Sequence, residues 1–103
     1  MKLTQEEAIK YHHRNGINSN PDHQAMNLAE EAGEVVRAVL KRSQGIRGTY
    51  EHWTDEIRKE AGDVVISLMC LAEIEGWDLG AAVDERWQHV INREMAKHQH
   101  EAS

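Results

Sequence analysis

The sequence has no phenylalanine, three tryptophans and two tyrosines. Only 24 of its 103 residues are Leu, Ile, Val or Met. A core drawn from so few large side chains is small, and such domains gain stability by associating with copies of themselves. A single cysteine, Cys70, excludes an internal disulfide and suits a reducing compartment. No apolar run is longer than Val64 to Ala72, and Ser67 breaks that one. A membrane span needs about 20 apolar residues, so none is expected. The opening MKLTQEEAIKYHH has no apolar centre and does not read as a secretory signal. Basic residues are also short, 12 Lys+Arg against 18 Asp+Glu, for a net charge of −6. That excludes an electrostatic grip on long nucleic acid or an anionic membrane. The expectation is one cytoplasmic domain over residues 1–103.

What is there is helical punctuation. Thr4 and Glu7 form a capping box that opens a helix to about Arg14. NGINSNP is a connector, and Asn20–Pro21 is an N-cap followed by proline at the first helical position. A second helix should run to about Arg42. The segment SQGIRGTYEHW reads as a mobile loop, after which Thr54 caps a third helix from Asp55 to Glu75, closed by Gly76. Asp78 caps a fourth, to about Lys97, and the tail 98–103 is expected to fray. No strand-like alternation and no internal repeat occurs. The class is all-α, a four-helix bundle completed by homo-oligomerisation.

The carboxylates carry the chemical signal. Met26, Leu28, Ala29, Ala32, Val35, Val36, Val39 and Leu40 form one broad apolar arc on the second helix. Glu31 stands at its edge, with Glu34 and Asn27 on the same face and Glu30 turned away. On the third helix, Glu60 and Asp63 are three residues apart, just before a run that is apolar all round. If the two helices pack together, four carboxylates converge. Their repulsion then raises some pKa values unless a divalent cation neutralises them. Oxygen-only ligands select a hard cation, Mg²⁺ or Mn²⁺. A di-iron bundle would use Glu-x-x-His pairs, and no histidine here has glutamate three positions before it. Each pair taken alone is also what a solvated helix face would carry.

These residues match a known pattern. Glu30-Glu31-Ala-Gly-Glu34 followed by Glu60-Ala-Gly-Asp63 resembles the EExxE…ExxD signature of the MazG-like, all-α nucleoside triphosphate pyrophosphohydrolases. The likeness extends through LAEEAGEVVRAV and EIRKEAGDVVISLMCLA and covers roughly residues 22 to 93. It implies a helical domain assembling as a dimer or tetramer. It also implies Mg²⁺-dependent cleavage between the α and β phosphates of a nucleotide. By motif position, Glu31, Glu34, Glu60 and Asp63 are the implied metal ligands, with Glu30 a further catalytic position. On the fourth helix, Arg86, Asn92 and Arg93 loosely match a phosphate-contacting set. The usual Lys-x-x-x-Asn spacing is broken, because Gln88 stands four before Asn92.

The remaining candidates follow from the chemistry. Asn27, Arg47 and Lys59 are further substrate-binding candidates, since a triphosphate needs cations as well as metal. Trp53, Trp77, Trp87 or Tyr50 offers a platform for a base, with core packing the expected job of Trp87. His23, two turns before Glu31, lies within reach of a ligand. Cys70 reads as packed and inert. The rival readings are phosphoribosyl-ATP pyrophosphohydrolase and a non-catalytic helical oligomerisation or regulatory module.

Overall fold

Local capping explains where each helix begins and ends. The computed structural model describes residues 1–14 and 20–102, the side chains of 12–14 and 100–102 excepted. The connector expected at 15–19 therefore lies outside the described residues. Helix α1 spans Gln5–Arg14, α2 Pro21–Gln44, α3 Tyr50–Glu75 and α4 Leu79–Ala102. Glu7 N donates to Thr4 Oγ1 at 3.1 Å, the expected box, and Asp22 N donates to Asn20 Oδ1 at 2.8 Å. Gly45 and Gly76 both take the left-handed conformation, at φ 65° and 80°. The amides after them, of Ile46 and Trp77, reach back to Lys41 O and Ala72 O. This is the closure that favours glycine at a helix end. Asp78 Oδ1 accepts from Ala81 N at 2.7 Å and caps α4.

Three boundaries differ from expectation. Helix α3 starts at Tyr50, and its cap is Thr49, which accepts from His52 N at 3.0 Å. Thr54 instead bonds back to Tyr50 O at 2.9 Å, inside the helix. The expected mobile loop thus contracts to 45–49. Trp53 Nε1 donates to Ile46 O at 2.9 Å, Arg42 stacks on Tyr50, and Lys41 lies over Trp53. These long-side-chain bonds tie the loop down and are invisible to local propensity. At the other end, α4 continues past Lys97 to Ala102.

The core sits between α1 and α3. Ala8, Ile9, Met69 and Cys70 are buried, with Leu3, Val65, Ile66, Ile74 and Leu79 packed against them. Cys70 is fully enclosed, and burial raises its thiol pKa, which fits an inert packing role. The Gln5 carboxamide ties three elements at once. Its Nε2 donates to Glu73 Oε2 at 3.0 Å and Trp77 O at 2.7 Å, and its Oε1 accepts from Leu79 N at 3.0 Å.

Helix α2 lies along α3, but not through the apolar arc anticipated. The face turned inward runs Gln24, Leu28, Glu31, Val35 and Ala38, in alternating steps of four and three. A second apolar stripe of Met26, Ala29, Val36 and Leu40 is left exposed, Met26 by 67%. Helix α4 touches α3 sparsely and stands away from the rest. Its Val83, Trp87 and Met95 are exposed, Trp87 by 62%, so Trp87 is not a core residue of this chain. The radius of gyration is 17.8 Å, against about 13 Å for a compact chain of this length. Among the described residues no helix is long and apolar enough to cross a membrane.

Candidate metal centre

The inward face of α2 carries a charge into the seam between the long helices. Glu31 lies between Leu28 and Val35 on that face, and Glu60 and Asp63 approach it from α3. One carboxylate oxygen each from Glu31, Glu60 and Asp63 lie within 4.8 Å of one another. All three residues are half-buried. Among the described residues no cation pairs with them, the one ion pair being Lys10–Glu6 on α1, at 3.3 Å.

The electrostatics follow from that crowding. The Glu60 carboxyl is pushed above its ordinary 4.5, first by a hydrogen bond shared with the Glu34 carboxyl. Loss of water and the charges of Glu34, Asp63 and Glu31 add to the shift. Glu31 is raised first by desolvation, then by Asp63, Glu34 and Glu30. Glu60 Oε2 is buried without any hydrogen-bond partner. An orphaned carboxylate oxygen costs free energy unless something binds it. Three convergent carboxylates, one of them with an orphaned oxygen, and no nitrogen or sulfur among the ligand atoms, fit a hard divalent cation.

The acidic residues that make this cluster also lie within a recognisable domain. The sequence profile of the MazG nucleotide pyrophosphohydrolase domain matches residues 20–99. The chain belongs to the MazG family. No curated protein matches it, and no solved structure does. A MazG domain is all-α, as this chain is, and the family hydrolyses nucleotide anhydrides.

Within this MazG domain the sequence-derived candidates separate into two groups. Glu31, Glu60 and Asp63 converge, and Glu34 lines a 240 Å³ cavity together with Glu60. Asn27 is half-buried and lines a 210 Å³ cavity with Glu31 and Asp63. Glu30 and Lys59 are exposed and line neither of these cavities. His23 is exposed one turn before Asn27. Arg47 is exposed in the 45–49 loop at φ 49°, a left-handed conformation that is uncommon for a non-glycine residue. Arg86, Asn92 and Arg93 lie exposed on α4, and none lines either carboxylate cavity. Gln88 Nε2 donates to Asn92 Oδ1 at 3.0 Å.

Four residues went unnoticed in the sequence. Arg37 and Lys41 line the 240 Å³ cavity with Glu34, Glu60 and Trp53. Their signal was available, because they follow Glu34 by three and seven residues and share its face. Gln24 and Ser67 are buried and bonded to each other, and Ser67 is also bonded to Asn27. A polar residue inside an apolar helical run was the only hint for Ser67.

Proposed function

We propose that this chain is a Mg²⁺-dependent nucleoside triphosphate pyrophosphohydrolase of the cytoplasmic nucleotide pool, with a housecleaning role. The observation that carries the reading is the convergence of Glu31, Glu60 and Asp63, with a buried Glu60 oxygen lacking a partner. These three residues and Glu34 are the proposed metal ligands, with Mn²⁺ an acceptable substitute. A bound divalent ion supplies neutralisation of phosphate charge and a more acidic water.

The chain's own groups do the rest. Arg37 and Lys41 line the cavity that adjoins Glu34 and Glu60, where they can hold phosphate oxygens. Trp53, on the wall of the same cavity, offers an aromatic face. Glu34, or the more outward Glu30, accepts the proton of the water that attacks the α-phosphorus. The α–β bridging oxygen departs with pyrophosphate, leaving a nucleoside monophosphate. Arg47, Lys59, Arg86, Asn92 and Arg93 line neither carboxylate cavity of their own chain, so their contribution is assigned to a site shared between copies.

Homo-oligomerisation is part of this reading. The exposed stripe of α2 and the apolar side chains of stand-off α4 are large unpartnered surfaces, which soluble monomers avoid. The test is a panel of triphosphates incubated with Mg²⁺ and scored separately for pyrophosphate and phosphate. Pyrophosphate release that EDTA abolishes is expected. Phosphate as the product, or no turnover of any triphosphate, sinks the proposal.

A further inference from the structure

Carboxylate chemistry leaves three neutral polar side chains beside the cluster unexplained. Gln24 and Ser67 are almost completely buried, at 1% and 2% exposure. Gln24 Nε2 donates to the Ser67 carbonyl at 3.1 Å and to Ser67 Oγ at 2.9 Å. A carbonyl only accepts, so this pairing fixes which way the Gln24 carboxamide points. Asn27 Nδ2 donates to the same Ser67 Oγ at 3.2 Å. Ser67 Oγ therefore uses both lone pairs on amide donors.

The placement of these bonds is specific. Asn27 precedes Glu31 by one helical turn, and Ser67 follows Asp63 by one turn. The Asn27–Ser67 bond thus crosses from α2 to α3 directly beyond the Glu31–Asp63 pair. With one Nδ2 hydrogen committed, Asn27 retains its second Nδ2 hydrogen and Oδ1, neither of which has a partner among the described residues. That oxygen is the acceptor Asn27 can offer the 210 Å³ cavity it lines with Glu31, Asp63, Ile66 and Ser67. The polar lining then offers unshared acceptors on three side chains, two carboxylates and a carboxamide oxygen, beside the remaining Asn27 and Ser67 hydrogens. Two of those acceptors are carboxylates, whose charge repels phosphate oxygens, whereas an O–H group finds a partner in Oδ1.

We infer that Ser67 and Gln24 are positioning residues that hold Asn27 so that its Oδ1 receives a hydrogen bond from an O–H group beside Glu31 and Asp63. The donor is a water of the site or a sugar hydroxyl of the nucleotide. The inference rests on the reading of the carboxylates as a nucleotide site.

The first measurement needs neither metal nor substrate. In the metal-free protein, the Asn27 side-chain amide should show one exchange-protected proton with a contact to the Ser67 β protons. Ser67→Ala should abolish that protection, and Ser67→Thr should keep it. An unprotected Asn27 amide in the unsubstituted protein overturns the positioning role.

The second measurement is kinetic, on ribo-, 2′-deoxy- and 2′,3′-dideoxynucleoside triphosphates with Mg²⁺. Ser67→Ala should lower kcat/KM about five- to tenfold, the cost of one lost neutral hydrogen bond. Gln24→Met should act in the same direction, and Ser67→Thr should restore the rate. A sugar donor puts the loss in KM and removes it for substrates lacking that hydroxyl. A water donor puts the loss in kcat, equally for all sugars. Unchanged kcat and KM in both Ser67→Ala and Gln24→Met overturn the inference. If the unsubstituted chain turns over no triphosphate, the nucleotide reading falls, and the amide measurement still decides whether Asn27 is held.

Discussion

Replacing Asp63 with asparagine removes one charge and almost no volume, so the effect isolates electrostatics. Ligand oxygens of Glu31 and Asp63 lie within 4.8 Å. At that separation two unit charges repel by about 1 kcal/mol in a water-like medium and about 3.5 kcal/mol at an effective dielectric near 20. The residues are only half-buried and the Glu31 carboxyl is raised, so the lower figure applies. Asp63→Asn should therefore stabilise the metal-free protein by about 1 kcal/mol, or about 4–8 °C in melting midpoint. Saturating Mg²⁺ should invert the order. The unsubstituted protein then gains RT ln(1 + [L]/Kd), about 2.7 kcal/mol at a hundredfold excess over Kd, while the variant lacks a ligand. Turnover should fall by about 10²-fold or more. The assay is a pair of thermal melts at equal protein concentration, in EDTA and in Mg²⁺, beside pyrophosphate release. A variant that melts below the unsubstituted protein in EDTA, or an order unchanged by Mg²⁺, would refute the metal centre.

Two further outcomes are expected. Glu31 and Glu60 bind protons more tightly folded than unfolded, since both are raised above 4.5. The metal-free protein should thus lose stability as pH rises from 4.5 through their raised values, and level off above them. Urea unfolding in EDTA across that range checks this, and a curve rising with pH contradicts it. Trp87→Glu combined with Val36→Glu puts charge on the two exposed apolar surfaces, and light scattering should then report a smaller particle. An unchanged mass would show that neither surface joins copies.

Several helix starts and stops were legible because they rest on local caps. Asn20–Pro21, Gly76 and Asp78 act within a few residues of where they stand. The start of α3 was not legible, because its first turn is held by Trp53 bonding to Ile46 and Arg42 stacking on Tyr50. Those contacts depend on α2 and α3 meeting. The carboxylate centre was legible because i, i+3 spacing puts Glu60 and Asp63 on one face, and Glu31 and Glu34 on another. Which face of α2 turned inward was harder. Two apolar stripes compete there, and the one containing Gln24 and Glu31 looks the poorer in sequence. It faces α3 because Gln24 and Asn27 find hydrogen-bond acceptors on Ser67, which a hydropathy pattern does not register.

The Gln5 latch has a mechanical consequence. It grips the first free amide of α4, a helix of 24 residues that little else in the chain supports. Such a helix is about 36 Å long, so a tilt of about 5° at its base carries its far end about 3 Å. A side chain on α1, distant from that end, therefore sets the aim of a lever. Small changes in how α1 seats are magnified into whole-residue shifts of whatever surface α4 presents.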